Sequence, residues 1–207
     1  MKFLSHQLIF PDVKESSYDG LLAVGGDLSS ERLLLAYSKG IFPWYGKDDP
    51  ILWWSPDPRF VLFPKDLKVS KSMKQILNKE IFSFSVNKAF ETVINNCANI
   101  KREGQDDTWI TDEMIEAYLD LHRLGYAISV EVWKDKELVG GLYGLSLKNG
   151  VFCGESMFSK VSNASKAGFI HFIQQNDIKI IDCQIHSYHL ESLGGKHISR
   201  EQFLRYL

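Results

Sequence analysis

Acidic and amide side chains interrupt two otherwise apolar stretches of this sequence. Glu155 lies within the apolar residues 152–158, and Asp182 and Gln184 lie two positions apart within residues 180–185. Residues at i and i+2 of a strand point to the same face, so we expect Asp182 and Gln184 side by side. A buried carboxylate needs a hydrogen-bond partner or a catalytic purpose. Two such strands predict a shared polar site, with structural hydrogen bonding to loop amides as the alternative for each residue alone.

Large aromatic rings gather in the proline-rich residues 42–58, and one more, Trp109, precedes a predicted helix. Trp44 and Trp109 are suited to stacking on a nucleobase, an interaction of about 1–3 kcal/mol per base. Trp53 and Trp54 are better explained by core packing.

One short segment is strongly basic although the net charge of the chain is −2. Residues 65–79 contain five lysines and one aspartate. A helix predicted over residues 70–79 places Lys71 and Lys74 on one face. That face can hold a phosphate backbone at one place, whereas the overall charge argues against a general polyanion binder.

The motifs do not indicate a cofactor or a metal. The chain has no Gly-x-Gly dinucleotide fingerprint and no phosphate-binding Gly-Lys-Ser/Thr loop. Cys183, His186 and His189 have the spacing Cys-x2-His-x2-His, but the histidines follow the predicted end of a strand near residue 185. Their convergence with the thiol is not implied, and a buried thiol with two loop histidines is the simpler interpretation. We expect no metal and no cofactor.

The elements that must position these residues fall into two parts. All six prolines lie at or before Pro64, so we place a boundary near residue 60, between an N-terminal domain (1–60) and a C-terminal domain (61–207). In the first domain, Ser29 and Gly40 are expected to bound a helix. Residues 42–58 are expected to form an ordered loop.

The second domain is predicted to be α+β, with one βα crossover. Its predicted elements are helices at 70–79, 87–98 and 111–125, antiparallel strands near 128–132, 138–147 and 151–157, a helix at 163–176, a strand at 179–185, and a last helix with a capping box at Ser199 and Gln202.

Length and composition limit the class of protein. The chain has 207 residues, of which 44% are hydrophobic, so it can bury a real core and is not disordered. No apolar run approaches the roughly 20 residues of a membrane span, and the N-terminus does not resemble a signal peptide. Three widely spaced cysteines indicate neither a disulfide framework nor a zinc site. We therefore expect a reduced, cytoplasmic protein without a membrane partner.

Motifs along almost the whole chain resemble one family, the leucyl/phenylalanyl-tRNA–protein transferases. The matching segments are GLLAVGGDLS (20–29), AYSKGIFPW (36–44), ILWWSPDPR (51–59), TWIT (108–111), LVGGLYG (138–144), FCGESMFS (152–159), NASK (163–166), IIDCQ (180–184) and HLESLG (189–194). One departure is Ser187, where the family often has Asn; any role of that amide passes to a hydroxyl or is absent.

The resemblance implies a fold and an activity. The fold is a small N-terminal domain followed by a C-terminal domain like the acyl-CoA N-acetyltransferases (GNAT-like). The enzyme would move Leu or Phe, and more weakly Met, from aminoacyl-tRNA to the α-amino group of proteins that begin with Arg or Lys. The product would be marked for degradation through its N-terminus. The enzyme is expected to be monomeric, and ester-to-amide exchange needs no cofactor.

The activity implied by the resemblance assigns a role to each of the candidate residues named above. Asp182 is expected to orient the Gln184 amide, which accepts a hydrogen bond from the attacking amine, and Glu155 to hold the cationic acceptor. A relay through Asp182 or through a tRNA ribose hydroxyl would take the proton. The expected substrate-binding residues are Trp44, Trp109, Leu142, Gly154, Met157, Phe169, Ile181 and Ser187, and the expected tRNA-binding residues are Lys71 and Lys74.

Two other functions remain possible at this stage. A CoA-dependent N-acetyltransferase is disfavoured because the turn before the predicted helix at residues 163–176 lacks a glycine-rich pyrophosphate loop. A non-catalytic adaptor that binds RNA or protein N-termini predicts binding without turnover.

Overall fold

The computed structural model describes residues 2–100 and 108–207. The strands are β1 Lys2–Leu4, β2 Leu21–Gly25, β3 Phe42–Pro43, β4 Leu52–Trp54, β5 Arg59–Leu62, β6 Ser83–Val86, β7 Ala127–Lys134, β8 Glu137–Ser146, β9 Val151–Ser159, β10 Ile180–Gln184 and β11 Lys196–Ile198. The α-helices are α1 Ser30–Ser38, α2 Lys71–Asn78, α3 Phe90–Asn99, α4 Asp112–Arg123, α5 Ala164–Gln175, α6 Tyr188–Ser192 and α7 Arg200–Leu204.

The first four strands form one small sheet in the order β1-β2-β4-β3. β1 and β2 are parallel, and β4 runs antiparallel to both β2 and β3. The expectation that residues 42–58 are entirely loop is therefore wrong at both ends of that stretch. Phe42 pairs with Trp54 and Pro43 with Trp53, so cross-strand pairing of large rings stabilises short strands that the prolines had obscured.

The remaining strands form a seven-stranded sheet in the order β11-β5-β10-β9-β8-β7-β6. The antiparallel β7-β8-β9 meander and the crossover through α5 to β10, which is parallel to β9, confirm the predicted α+β class. β6 and β11 were not predicted. They are the two edge strands, and with four and three residues they are too short for a period of two to distinguish a strand from a loop.

Three predicted helix starts are confirmed at positions where a side-chain oxygen caps the first turn. Ser70 accepts from Met73 N, Thr111 accepts from Met114 N, and Ser199 forms its capping box with Gln202. Ser29 stands at the N-cap of α1 but makes no side-chain cap there; its hydroxyl bonds Asp27 instead.

One core cluster crosses both sheets. It contains Leu22 and Trp53 from the small sheet, Tyr37 from α1, and Tyr118 and Leu145 from the C-terminal part. A second cluster lies between the large sheet and α5. There Gly168 permits close packing, because a Cβ at this position would lie 2.6 Å from Val132 Cγ2.

A buried ion pair joins β5 to β10. Arg59 Nε donates to Asp182 Oδ1 and Nη2 donates to Oδ2, both at 2.7 Å. Both side chains are 1% exposed. The rings of Phe42 and Phe203 lie 4.7 and 4.9 Å from the guanidinium carbon, so the cation is enclosed by aromatic faces as well as by its partner.

No helix among residues 2–100 and 108–207 combines the length and the apolar character that crossing a membrane requires.

We predict that Asp182→Asn lowers the free energy of unfolding by about 3–5 kcal/mol, because it leaves the Arg59 cation buried without its counter-charge. Asp66→Asn is the matched control, since the Asp66–Lys196 pair is half exposed, and should cost about 0–1 kcal/mol. Urea unfolding of both variants measures the difference. A cost for Asp182→Asn no larger than that of the control would show that the buried pair does not stabilise the fold.

Candidate active site

A cavity of about 540 Å³ opens where β8, β9 and β10 face the segment after β3 and the turn before α4. The sequence-predicted substrate residues all line it: Trp44, Trp109, Leu142, Gly154, Met157, Phe169, Ile181 and Ser187. Glu155 and Gln184 line it as well. Asp182 lies behind the wall, and Lys71 and Lys74 are exposed on α2, outside the lining.

The cavity has two different walls because it lies between the two core clusters. Leu142, Phe169 and Ile181 belong to the cluster under α5, and Met157 packs against it. These side chains carry no hydrogen-bonding groups and are fixed by strand and helix packing. They form an apolar surface on one side of the cavity.

The opposite wall is aromatic. Trp44 and Trp109 are partly buried and pack against the other cluster. Trp44 is held by Trp54, whose Nε1 donates to the Trp44 carbonyl oxygen at 2.6 Å and whose ring lies 5.8 Å away. Trp53 is fully buried and donates to the carbonyl oxygen of Gly25 at 2.8 Å, which is a core role.

The backbone of β10 bends at the cavity, and this overturns the expectation that Asp182 and Gln184 share a face. Gln184 adopts φ +64°, and the pairing with β5 shifts register between these two residues. A left-handed conformation costs a non-glycine residue about 1–2 kcal/mol. Asp182 Oδ1 offsets part of that cost by accepting the backbone N–H of Gln184 at 3.0 Å.

The expected orientation of the Gln184 amide by Asp182 is therefore wrong. Gln184 Nε2 donates to Glu155 Oε1 at 2.8 Å instead, across from β10 to β9. Asp182 is occupied by Arg59 and by the Gln184 backbone. Asp182 thus accepts from the backbone N–H of Gln184, whereas Glu155 accepts from its side-chain amide.

Glu155 is the ionisable carboxylate of the cavity wall. Tyr37 donates to its Oε1 at 2.7 Å and Tyr118 donates to its Oε2 at 2.9 Å. Burial raises the pKa of Glu155 to about 7, although the hydrogen bonds from both tyrosines and from Gln184 lower it. Burial first, and then the Glu155 charge, raise the pKa of both tyrosines, so they remain protonated donors at neutral pH.

The side chains of Cys183, His186 and His189 have separate surroundings in the structure. Within the described part of the chain, no group of three or more potential ligands converges. Cys183 is buried in β10, and burial raises the pKa of its thiol well above the ordinary value. His186 pairs with Glu191 at 3.1 Å, and burial lowers the pKa of His189.

Ser187 has a structural role besides lining the cavity. Its hydroxyl accepts from Leu190 N at 3.2 Å and caps α6.

Three functional candidates were missed in the sequence. None of Tyr37, Tyr118 and Arg59 was singled out as a site residue. The signal for Arg59 was available, because an arginine in a buried strand requires a buried acid, and Asp182 was the evident candidate. Nothing local distinguishes Tyr37 or Tyr118 from ordinary core tyrosines.

Comparison with known proteins gives a consistent result. The family model described as leucyl/phenylalanyl-tRNA protein transferase matches residues 61–207, and the model of that family's N-terminal domain matches residues 26–57. Curated proteins named leucyl/phenylalanyl-tRNA–protein transferase are similar along the whole chain. The protein from Flavobacterium johnsoniae is 58% identical, covering 100% of this chain and 99% of the relative. The protein from Christiangramia forsetii is 57% identical, covering 100% of both.

Among solved structures, a GCN5-related N-acetyltransferase from Kribbella flavida aligns with a TM-score of 0.41 and 12% identity, over 80% of this chain and 59% of that one. The family models and the full-length relatives carry the assignment without it. This protein belongs to the leucyl/phenylalanyl-tRNA–protein transferase family.

Proposed function

We propose that this enzyme transfers Leu or Phe, and more weakly Met, from its tRNA ester to the α-amino group of a protein that begins with Arg or Lys. The observation that supports this proposal is that one cavity brings together an apolar wall, two tryptophans and the Gln184–Glu155 pair. The proposal includes a monomeric enzyme working in the cytoplasm, where its donor is made, and an N-terminus so modified that it directs the product to degradation.

The two walls suit the two ends of an aminoacyl-adenosine. Stacking of the terminal adenosine between Trp44 and Trp109 would leave the ester beside β9. The Leu or Phe side chain would then occupy the apolar wall near Met157 and Phe169. β-Branched or polar side chains fit such a pocket poorly, and the discrimination achievable per methylene is about 1–3 kcal/mol.

Gln184 is suited to aim the nucleophile. Its Nε2 donates to Glu155, which leaves the carbonyl oxygen Oε1 to accept a hydrogen bond from the acceptor amine. Holding the amine against the ester in this way lowers the entropic part of the barrier. The reaction replaces an ester by a more stable amide, so it runs without an external energy source.

We also propose a domain boundary near residue 60, with residues 1–60 and 61–207 as the two domains. The small sheet ends at Trp54 and the large sheet begins at Arg59, which supports this division.

The transfer is tested by giving the enzyme labelled Leu-tRNA, or labelled acetyl-CoA, together with a peptide that begins with Arg. Label should reach the peptide from Leu-tRNA alone. Label arriving from acetyl-CoA would instead identify an acetyltransferase, and binding of Leu-tRNA without any transfer would identify an adaptor.

Filling the cavity at Gly154 should reduce the use of Phe more than the use of Leu. A Cβ built on Gly154 meets its nearest neighbour, the Asp182 carbonyl oxygen, at 3.7 Å, so larger side chains fit the backbone there and occupy cavity space. The Phe/Leu ratio of kcat/KM should fall for Gly154→Ala and fall further for Gly154→Val. Ser83→Val, at an exposed position of the edge strand β6, is the control. An unchanged ratio in folded Gly154→Val would place residue 154 outside the side-chain pocket.

The lysines of α2 should act through phosphate charge. Met73 anchors the helix in the core, and Lys71 and Lys74 are exposed on one face. Replacing both by Gln should weaken tRNA binding and reduce its log–log salt slope by about two. Transfer from a minimal aminoacyl-adenosine donor should stay unchanged, because this donor has no acceptor stem.

The control is the double Gln variant of Lys134 and Lys136, two exposed lysines near the β7–β8 turn. Salt titrations of tRNA binding by both double variants give the comparison. Equal losses on tRNA and on the minimal donor would assign α2 a purely structural role.

A further inference from the structure

The two buried tyrosines and Glu155 form a closed ring of hydrogen bonds. Tyr37 OH contacts Glu155 Oε1 at 2.7 Å, and Tyr118 OH contacts Glu155 Oε2 at 2.9 Å. The two phenolic oxygens also contact each other in a short hydrogen bond. Each of the three groups therefore touches both others, on elements as distant in sequence as α1, α4 and β9.

Counting protons shows which charge state suits this ring. Three oxygen–oxygen contacts need three protons, and the two phenols supply two. When Glu155 is ionised, both phenols donate to it and their mutual contact has no proton. When Glu155 is protonated, each contact holds one proton, and Gln184 Nε2 can still donate to Oε1. Every contact of the ring therefore holds a proton when Glu155 is protonated. When Glu155 is ionised, its carboxylate still accepts hydrogen bonds from both phenols and from Gln184 Nε2.

The surroundings of Glu155 allow both its protonated and its ionised form at neutral pH. No ion pair of the described residues includes Glu155, and the nearby cation Arg59 is engaged by Asp182. The titratable and charged groups around it are Tyr37 on α1, Tyr118 on α4, Tyr143 on β8, Cys153 on β9, Asp182 on β10 and Arg59 on β5. Burial, together with the Asp182 charge, raises the pKa of Glu155 to about 7 against the opposing hydrogen bonds.

We propose that Glu155 removes the proton from the acceptor's α-ammonium, and that Tyr37 and Tyr118 are positioning residues that hold its carboxyl group in a closed ring. The proposal rests on the proposed function, since it names the base of that reaction. Asp182 is unsuited to the task, because Arg59 occupies both of its oxygens and the Gln184 backbone occupies one of them again.

The steps balance without another reactant. The α-ammonium gives one proton to the Glu155 carboxylate, which becomes a neutral acid, and the free amine attacks the ester carbonyl carbon. The C–N bond forms and the C–O ester bond breaks. The second proton of the former amine passes to the departing ribose oxygen. Glu155 then loses its proton to solvent and is ready for the next acceptor. A base matched to an amine with a pKa of about 8 works best when its own pKa lies near the operating pH.

Single-turnover transfer from aminoacyl-adenosine at saturating Arg peptide, measured from pH 5.5 to 9, tests this step. The parent rate should rise through a midpoint near 7, the pKa of Glu155. In Glu155→Gln the rate should follow the amine itself, with a midpoint about one pH unit higher. The loss should be about tenfold at pH 6.5 and less than threefold at pH 9, where solution already supplies neutral amine.

Tyr118→Phe gives a second test that keeps the carboxylate. It removes a hydrogen bond that lowers the pKa of Glu155, so the midpoint should move to higher pH. Tyr126→Phe, a partly buried tyrosine stacked under Lys148, is the matched control. Glu131→Gln is the control for the carboxylate, because Glu131 is buried in β7 outside the cavity lining. Both controls should keep the parent midpoint.

Three outcomes overturn the assignment in distinguishable ways. A Glu155→Gln loss of equal size at pH 6.5 and pH 9, or a midpoint that stays near that of the parent, shows that another group takes the proton. A raised KM for Arg peptide with an unchanged rate at saturation shows that Glu155 only binds the cationic acceptor. Absence of transfer by the parent protein removes the proposed function itself.

Stability gives an independent readout of the same proton. The pKa of Glu155 is higher in the folded protein, about 7, than its ordinary value of 4.5, so the folded state binds this proton more tightly. Its stabilising contribution is present below about pH 4.5 and is lost as the pH rises through about 7. The parent should therefore lose stability relative to Glu155→Gln across that interval. A constant difference in melting temperature from pH 4 to 8 would contradict the raised pKa.

Discussion

The bidentate ion pair between Arg59 and Asp182 supports the polar half of the active site. Asp182 balances a cation that the fold has enclosed between two aromatic rings, and it also accepts the backbone N–H of Gln184. That second bond stabilises the left-handed residue at which β10 leaves its strand geometry. The bend carries the Gln184 side chain toward Glu155. A salt bridge that does not touch the cavity thus determines where the cavity's amide points.

From Gln184 the hydrogen bonds continue without interruption to both tyrosines. The chain of contacts runs from β5 through β10 and β9 to α4 and α1, and so joins both parts of the molecule. Buried polar networks of this kind rigidify a core when their members are satisfied, and in this one Arg59 Nη1 has no hydrogen-bond partner among the described residues. The same set of contacts that joins the elements of the core also places a carboxylate with a raised pKa at the cavity wall.

Much of the fold was accessible from the sequence because periodicity and capping are local. The helix starts near residues 70 and 111, the capping box at Ser199 and the antiparallel pairing of the strands near 138–147 and 151–157 agree with the structure. The sequence analysis named ten residues that line the cavity, eight of them within the segments that carry the resemblance. The wrong partner for Gln184 has a specific cause. The i, i+2 rule assumes a regular strand, and the register shift after Asp182 depends on a hydrogen bond to its own side chain and on Arg59 more than a hundred positions away.

The hydrogen-bonded ring of Tyr37, Tyr118 and Glu155 could not be predicted for a related reason. A tyrosine on the apolar face of a helix normally indicates core packing. The hydroxyl of Tyr37 finds polar partners only because α1 packs against α4 over β9. Both parts of the chain contribute residues to this ring and to the cavity. Tyr37 and Trp44 come from before residue 60, and Tyr118, Glu155 and Gln184 come from after it. An isolated C-terminal part would keep the carboxylate and its amide but lose Tyr37 from the ring and Trp44 from the cavity lining. The N-terminal part therefore completes both the hydrogen-bonded ring and the cavity, in agreement with the core that it shares with the rest of the chain.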